Sequence, residues 1–123
     1  MSQIPAWITH AFQTIDAMDA VAFAALIAED GSFVMGNAPP VVGRKAIVEI
    51  VGGFFGAIAG LSHSLDTAWV GSDSVSVNGV VTYTRHDGST VALPFCDVFR
   101  MKGAVVQDWL IYMDVNPLFA PPA

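Results

Sequence analysis

The sequence predicts a single soluble α+β domain in which three N-terminal helices pack on a curved, mostly antiparallel sheet around a largely apolar pocket. Three observations predict it. Apolar residues recur at helical spacing through Ile58, whereas after Leu61 the period changes to two and β-branched residues dominate. The chain of 123 residues is long enough for one buried core, so residues 1 to 123 read as one domain.

Taken in order, Trp7, Ile8, Ala11, Phe12 and Ile15 form one face of an amphipathic helix over residues 5 to 18. Asp19 is placed to cap the next helix, whose stripe is Phe23, Leu26 and Ile27 in an alanine-rich run ended by Glu29-Asp30-Gly31. A short strand follows from Gly31 to Gly36. Two prolines in Asn37-Ala38-Pro39-Pro40 remove backbone donors and force a loop. From Gly43 a third helix presents Ile47, Ile50, Val51, Phe54 and Ile58, with Gly52, Gly53 and Gly56 permitting close packing. Turn signals at Gly71-Ser72-Asp73, Asp87-Gly88 and Lys102-Gly103 then divide the remainder into four long antiparallel strands. Val75, Val77, Val81 and Tyr83 line one sheet face, and Val80, Thr82 and Thr84 the other. Neither face reads as fully solvated, so helices are expected on one and a second copy of the chain on the other; scattered surface hydrophobes are the plain alternative.

Composition excludes several classes. The net charge of −6 and the five cations, Arg44, Lys45, Arg85, Arg100 and Lys102, leave no basic stripe for a nucleic acid. An acidic surface suits a neutral ligand, although solvated carboxylates explain it as well. No stretch approaches the roughly 18 apolar residues of a membrane span, and Met1 to Ala6 run almost at once into a helical pattern, unlike a secretion leader. Cys96 alone cannot form an internal disulfide. A cytoplasmic protein is the expectation. His10, His63 and His86 have no ligand spacing with Cys96 or the carboxylates, so no metal is expected. Nucleophile-elbow, phosphate-loop and dinucleotide signatures are absent, and no cofactor is expected.

Two residues draw chemical interest. A two-residue turn at Asp87-Gly88 pairs His86 with Ser89, which sets Val80 opposite Phe95 and Asn78 opposite Asp97 on one face. Asp97 lies within Leu93-Pro94-Phe95-Cys96-Asp97-Val98-Phe99, where loss of water disfavours the charged carboxylate. Kept protonated, it donates a hydrogen bond to negative charge developing on a substrate oxygen. The structural alternative is an Asp at a sheet rim, or bonded to Asn78 or a backbone amide. His63, in Ser62-His63-Ser64 at the start of an apolar strand, titrates near neutrality and suits a proton acceptor; a histidine satisfied in the core or at a strand edge is the alternative. Cys96, flanking Asp97, should point to the other face as packing.

The order helix, helix, short strand, the segment from Gly36 to Arg44, a third helix and four long strands resembles the nuclear transport factor 2-like superfamily over essentially the whole chain. Val81 to Gly88, Asp97-Val98-Phe99-Arg100 and Ile111-Tyr112-Met113-Asp114 resemble its SnoaL-like branch most. That resemblance implies a cone-shaped, commonly dimeric fold hosting isomerases, polyketide cyclases, epoxide hydrolases, dehydratases and binding proteins. Asp97 before Val98-Phe99-Arg100 matches the hydrogen-bond-donating Asp of ketosteroid isomerases, but their general base and oxyanion-hole Tyr would fall at Met35 and Ala11. Limonene epoxide hydrolases are similar at Pro39-Pro40 through Arg44, yet their water-activating Asp, Tyr and Asn would fall at Ile111, Phe33 and Met35, and their other Arg and Asp near Asn78 and Val80. The mapping implies a pocket including Trp109, Ile111 and Met113.

The functional expectation is an isomerase- or cyclase-type enzyme for an apolar, oxygen-bearing small molecule, with Asp97 as donor, Asn78 orienting it and His63 accepting the proton. Phe33, Met35, Phe54, Val80, Phe95, Trp109, Ile111 and Met113 would form the pocket wall. A non-catalytic binder of a hydrophobic metabolite, or an interaction module using the outer sheet face, are the alternatives.

Overall fold

The computed structural model describes residues 4–120, so part of the Met1 to Ala6 segment lies outside the described residues. Of the expected stripe, helix α1 (Ala6–Asp16) buries Ile8, Ala11 and Phe12, half-buries Ile15 and leaves Trp7 exposed. Met18 reverses the chain at φ +56°, and the Asp19 carboxylate accepts from Ala22 N at 3.0 Å to cap α2 (Ala20–Ala24).

Helix α2 is shorter than expected, and strand β1 (Ile27–Met35) begins where the helical stripe was to continue. Tertiary pairing overrides alanine's helix propensity here. Val106 N donates to Leu26 O at 3.2 Å and Arg44 Nε to Ile27 O at 2.7 Å, so these carbonyls serve the sheet and a neighbouring helix. β1 is irregular between Ile27 and Ser32. Gly31 sits in that irregularity, where an added Cβ would lie 2.5 Å from Ile27 Cγ2 and 2.7 Å from Gln107 O.

Past the proline loop, β2 (Val41–Val42) pairs antiparallel with β1. Gly43, at φ +92°, opens α3 (Arg44–Gly56), which buries Ile47, Val51 and Phe55 and leaves Ile50 exposed. Strands β3 (Gly60–Val70), β4 (Ser74–Thr84), β5 (Thr90–Lys102) and β6 (Val105–Tyr112) complete a six-stranded curved sheet in the order β2-β1-β6-β5-β4-β3. Among the described residues only the β1–β6 pair is parallel. One further turn of helix, α4 (Asn116–Phe119), has no sequence counterpart among the expected elements, because four residues are too few to show a period. Arg85 ties it down by donating to Leu118 O and Pro117 O at 3.1 and 3.0 Å.

The β4–β5 turn corrects the expected register. Arg85 N donates to Ser89 O at 2.8 Å and Gly88 N to Arg85 O at 2.9 Å, with Gly88 at φ +88°. His86, Asp87 and Gly88 therefore form a three-residue loop with a left-handed glycine, rather than a two-residue turn. Asp97 consequently faces Val77, Asn78 faces Cys96 and Val80 faces Pro94. A slip of one residue carries Asn78 and Val80 to the convex face, away from the helices.

The concave face holds the core. Phe99 and Trp109 are fully buried and meet edge to face at 4.4 Å and 90°, while Phe12 and Phe23 descend from the helices onto the same indole. No helix among the described residues is long and apolar enough to cross a membrane.

Candidate functional site

Between the helices and the concave face lies a cavity of about 240 Å³. Phe33, Met35, Phe54, Phe95, Ile111 and Met113, all expected in the wall, line it. Val80 does not, being 42% exposed on the convex face. Trp109 is also absent from the lining; it stands behind the wall, fully buried. The polar side chains that reach the cavity are His63, Tyr83 and Asp97.

Asp97 takes its place from strand alternation, because Leu93, Phe95, Asp97 and Phe99 all point inward from β5. It is 2% exposed. Trp109 lies diagonally across the β5–β6 ladder, two residues from Ile111, the partner of Asp97. Its indole Nε1–H donates to Asp97 Oδ2 at 3.0 Å, while Oδ1 has no partner among the described residues. Burial pushes the Asp97 pKa up to about 7, and the Trp109 hydrogen bond only partly opposes it. Since Oδ2 accepts from the indole, a neutral Asp97 carries its proton on Oδ1, the oxygen left free.

His63 projects inward from edge strand β3, its ring lying 4.8 Å from that of Phe12 and 5.2 Å from that of Phe95. Asp16, the last residue of α1, holds it twice: Oδ2 accepts from His63 N at 3.0 Å, and Oδ1 lies 2.6 Å from ring Nδ1. Burial pulls the imidazole pKa below its usual value, with the Asp16 hydrogen bond and charge acting the other way. The ring is thus held neutral near pH 7.

Tyr83, on β4, is almost fully buried, and its hydroxyl has one weak contact, to Met113 Sδ at 3.9 Å. Burial, reinforced by Asp97, pushes its pKa up, so the phenol stays a donor. Asp16 and Tyr83 were not among the expected site residues. The expected register set Tyr83 on the face away from Asp97, and the true β4–β5 register brings the two onto one face. Asp16 carried no signal, because nothing local links the end of a helix to a strand 47 residues later.

Asn78 plays no part in the cavity. Its Oδ1 accepts from Thr67 N at 3.0 Å, stitching the irregularity in β3 on the convex side. Cys96 sits between Asn78 and Tyr112 on that face, with burial pushing its thiol pKa up. His10 is exposed, and His86 reaches Gly56 O at 2.9 Å. Among the described residues no group of three His, Cys, Asp or Glu side chains could hold a metal ion. No lysine or arginine lines the cavity, so it has no anchor for a phosphate or carboxylate. What the arrangement offers is a carboxyl that ionises at about 7, a phenol and an imidazole facing apolar walls.

The fold recurs in solved structures. A protein from Catenulispora acidiphila DSM 44928 with a ketosteroid isomerase-like fold, in complex with trimethylamine, superposes with a TM-score of 0.82 at 19% identity, covering 89% of this chain and 86% of that one. TerC, co-crystallised with polyporic acid, gives a TM-score of 0.79 at 17% identity over 91% and 92% of the two chains. A protein from Jannaschia sp. CCS1 assigned as a SnoaL-like polyketide cyclase gives 0.75 at 15% identity over 99% and 98%. At such identities the likeness is one of fold. No curated protein matches the chain in sequence. The SnoaL-like domain profile matches residues 8–108, and the chain belongs to the SnoaL-like domain family, built on the cone-shaped nuclear transport factor 2-like fold.

Proposed function

We propose that this protein is a proton-transfer enzyme of the isomerase or cyclase type, acting on a neutral, largely apolar molecule that carries a carbonyl oxygen. The observation that carries the reading is the buried Asp97 carboxyl, with Oδ2 occupied by Trp109 and Oδ1 unpartnered in the wall of an apolar cavity. His63 Nε2 takes a proton from a carbon activated by the carbonyl, and the C–H bonding pair moves into the enolate. The enolate oxygen accepts a hydrogen bond from Asp97 Oδ1–H, and Tyr83 is placed to donate a second. The enolate then recovers the proton from His63 at another carbon, an isomerisation, or its carbon attacks a second carbonyl, whose π pair moves onto the oxygen and takes the proton from His63, a cyclisation. The orienting role expected of Asn78 falls to Trp109. Two comparisons support the substrate class: one relative is assigned as a polyketide cyclase and another was crystallised with polyporic acid.

Deuterium exchange tests the proposal. With β-tetralone and isophorone as probes in D2O, proton NMR should show loss of activated C–H signals faster with the protein than in buffer. Asp97→Asn should slow that exchange by about 100-fold or more, the typical effect of removing one preorganised donor. Wild-type rates equal to those in buffer would remove the catalytic reading. The apolar wall would then favour the second one, a binder of hydrophobic metabolites. We further propose that two copies pair through the convex face, where Trp69, Val80 and Tyr112 are exposed, and that the protein works in the cytoplasm, where an unpaired Cys96 stays reduced.

A further inference from the structure

We infer that Asp16 is a positioning residue: it fixes the proton of His63 on Nδ1 and so turns the lone pair of Nε2 toward the cavity. This rests on the reading of His63 as the proton acceptor of the site. A carboxylate oxygen only accepts, so at 2.6 Å from Asp16 Oδ1 the ring nitrogen Nδ1 is the donor. The same carboxylate accepts from His63 N, which leaves the ring little freedom to turn over, and the rings of Phe12 and Phe95 confine it further. Among the described residues Nε2 has no hydrogen-bond partner, and the open space beside His63 is the cavity that its side chain lines.

A merely structural role has its own logic, because Asp16 also caps an edge-strand N–H and fastens α1 to β3. Asp16→Asn separates the two roles. Its amide oxygen still accepts from His63 N, but its NH2 group donates to Nδ1, and the ring must then carry its proton on Nε2. Strand capping survives while the lone pair facing the cavity is lost, the wrong-tautomer effect known from serine proteases.

The experiment is long-range nitrogen–proton NMR of the His63 ring at neutral pH, in the full-length protein and without ligand. The wild type should show the Nδ1–H tautomer and Asp16→Asn the Nε2–H tautomer, and β-tetralone exchange should fall at least 10-fold in the variant. A wild-type ring protonated on Nε2 overturns the inference whether or not the variant folds. So does a folded Asp16→Asn variant that keeps the wild-type tautomer, or one that switches tautomer yet exchanges β-tetralone at the wild-type rate. Failure of the wild type itself to exchange either probe, with the Nδ1–H tautomer in place, would instead fall on the proposed function, and Asp16 would then only clamp the ring.

Discussion

Replacing Asp97 by Asn should make the protein relatively more stable at high pH, and the size of the effect follows from burial. The carboxyl ionises at about 7 in the folded chain, against 3.8 when burial is absent. Between these values the folded state holds a proton that the unfolded chain releases, so stability falls as pH rises. Below 3.8 both states are protonated and the contribution is complete; above about 7 both are ionised and it is gone. About three units at 1.36 kcal/mol each amount to about 4 kcal/mol. Asn keeps an acceptor for Trp109 and does not ionise, so wild type minus variant isolates this carboxyl from every other titrating group. Urea unfolding followed by tryptophan fluorescence from pH 4 to 8 is the assay. At a slope of about 1.5 kcal/mol/M, the wild-type midpoint should fall by about 3 M relative to the variant across that range. A difference that stays flat with pH would mean that Asp97 ionises like a solvated carboxylate, and the proposed donor would not exist at neutral pH.

Three other substitutions test separate parts of the structure. Trp109→Phe removes the indole donor and leaves both Asp97 oxygens unpartnered; carboxyl NMR should show the Asp97 pKa rising further, and urea unfolding a loss of about 2 kcal/mol or more. Gly79→Ala should destabilise by about 3 kcal/mol or more, because its Cβ would meet Ser64 O at 2.0 Å and Leu65 Cα at 3.1 Å, backbone atoms of a paired strand that cannot yield; loss of soluble protein or a lowered melting temperature would show it. Val80→Asp should leave β-tetralone exchange unchanged but shift sedimentation toward monomer, since the residue faces away from the cavity on the surface proposed for pairing.

Most of the sheet was legible because a half-buried strand must alternate. Phe95, Asp97 and Phe99 announce their common face whatever the partner strand does. Which residue of β4 stands opposite Asp97 was not legible, because Asp-Gly serves both the two-residue hairpin turn and the three-residue loop with a left-handed glycine. That single residue decided whether Asn78 or Val77 faces Asp97, and with it the fate of Asn78 and Val80 as site residues. The boundary between α2 and β1 failed for a different reason. Ala24 and Ala25 favour helix locally, but Leu26 and Ile27 give their carbonyls to Val106 and Arg44, partners that no window of sequence contains. Trp109 illustrates a third limit: the mapping put it on the correct strand and face, yet not that it stands behind Asp97 instead of beside a ligand.

The register also constrains which proton is moved. His63 pairs with Val81 and Val81 with Leu93, so the row of His63 crosses β5 four residues from Asp97. In a flat sheet the two backbones would be separated by about 10 Å across the strands and about 14 Å along them. Curvature and inward side chains shorten this, but no hydrogen bond joins the two groups, and the ring of Phe95 lies against His63 from the residue pair next to Asp97 on the same face. Under the proposed function, a substrate would bridge them. In a simple ketone the activated C–H is adjacent to the carbonyl carbon, whereas in an enone the γ-position is two bonds farther along the conjugated chain and still delivers its electrons to the same oxygen. The wider separation of base and donor fits the second pattern better, so the γ-protons of isophorone should exchange with a larger acceleration over buffer than the α-protons of β-tetralone. The reverse order would place the proposed base and donor closer together than the strand register allows.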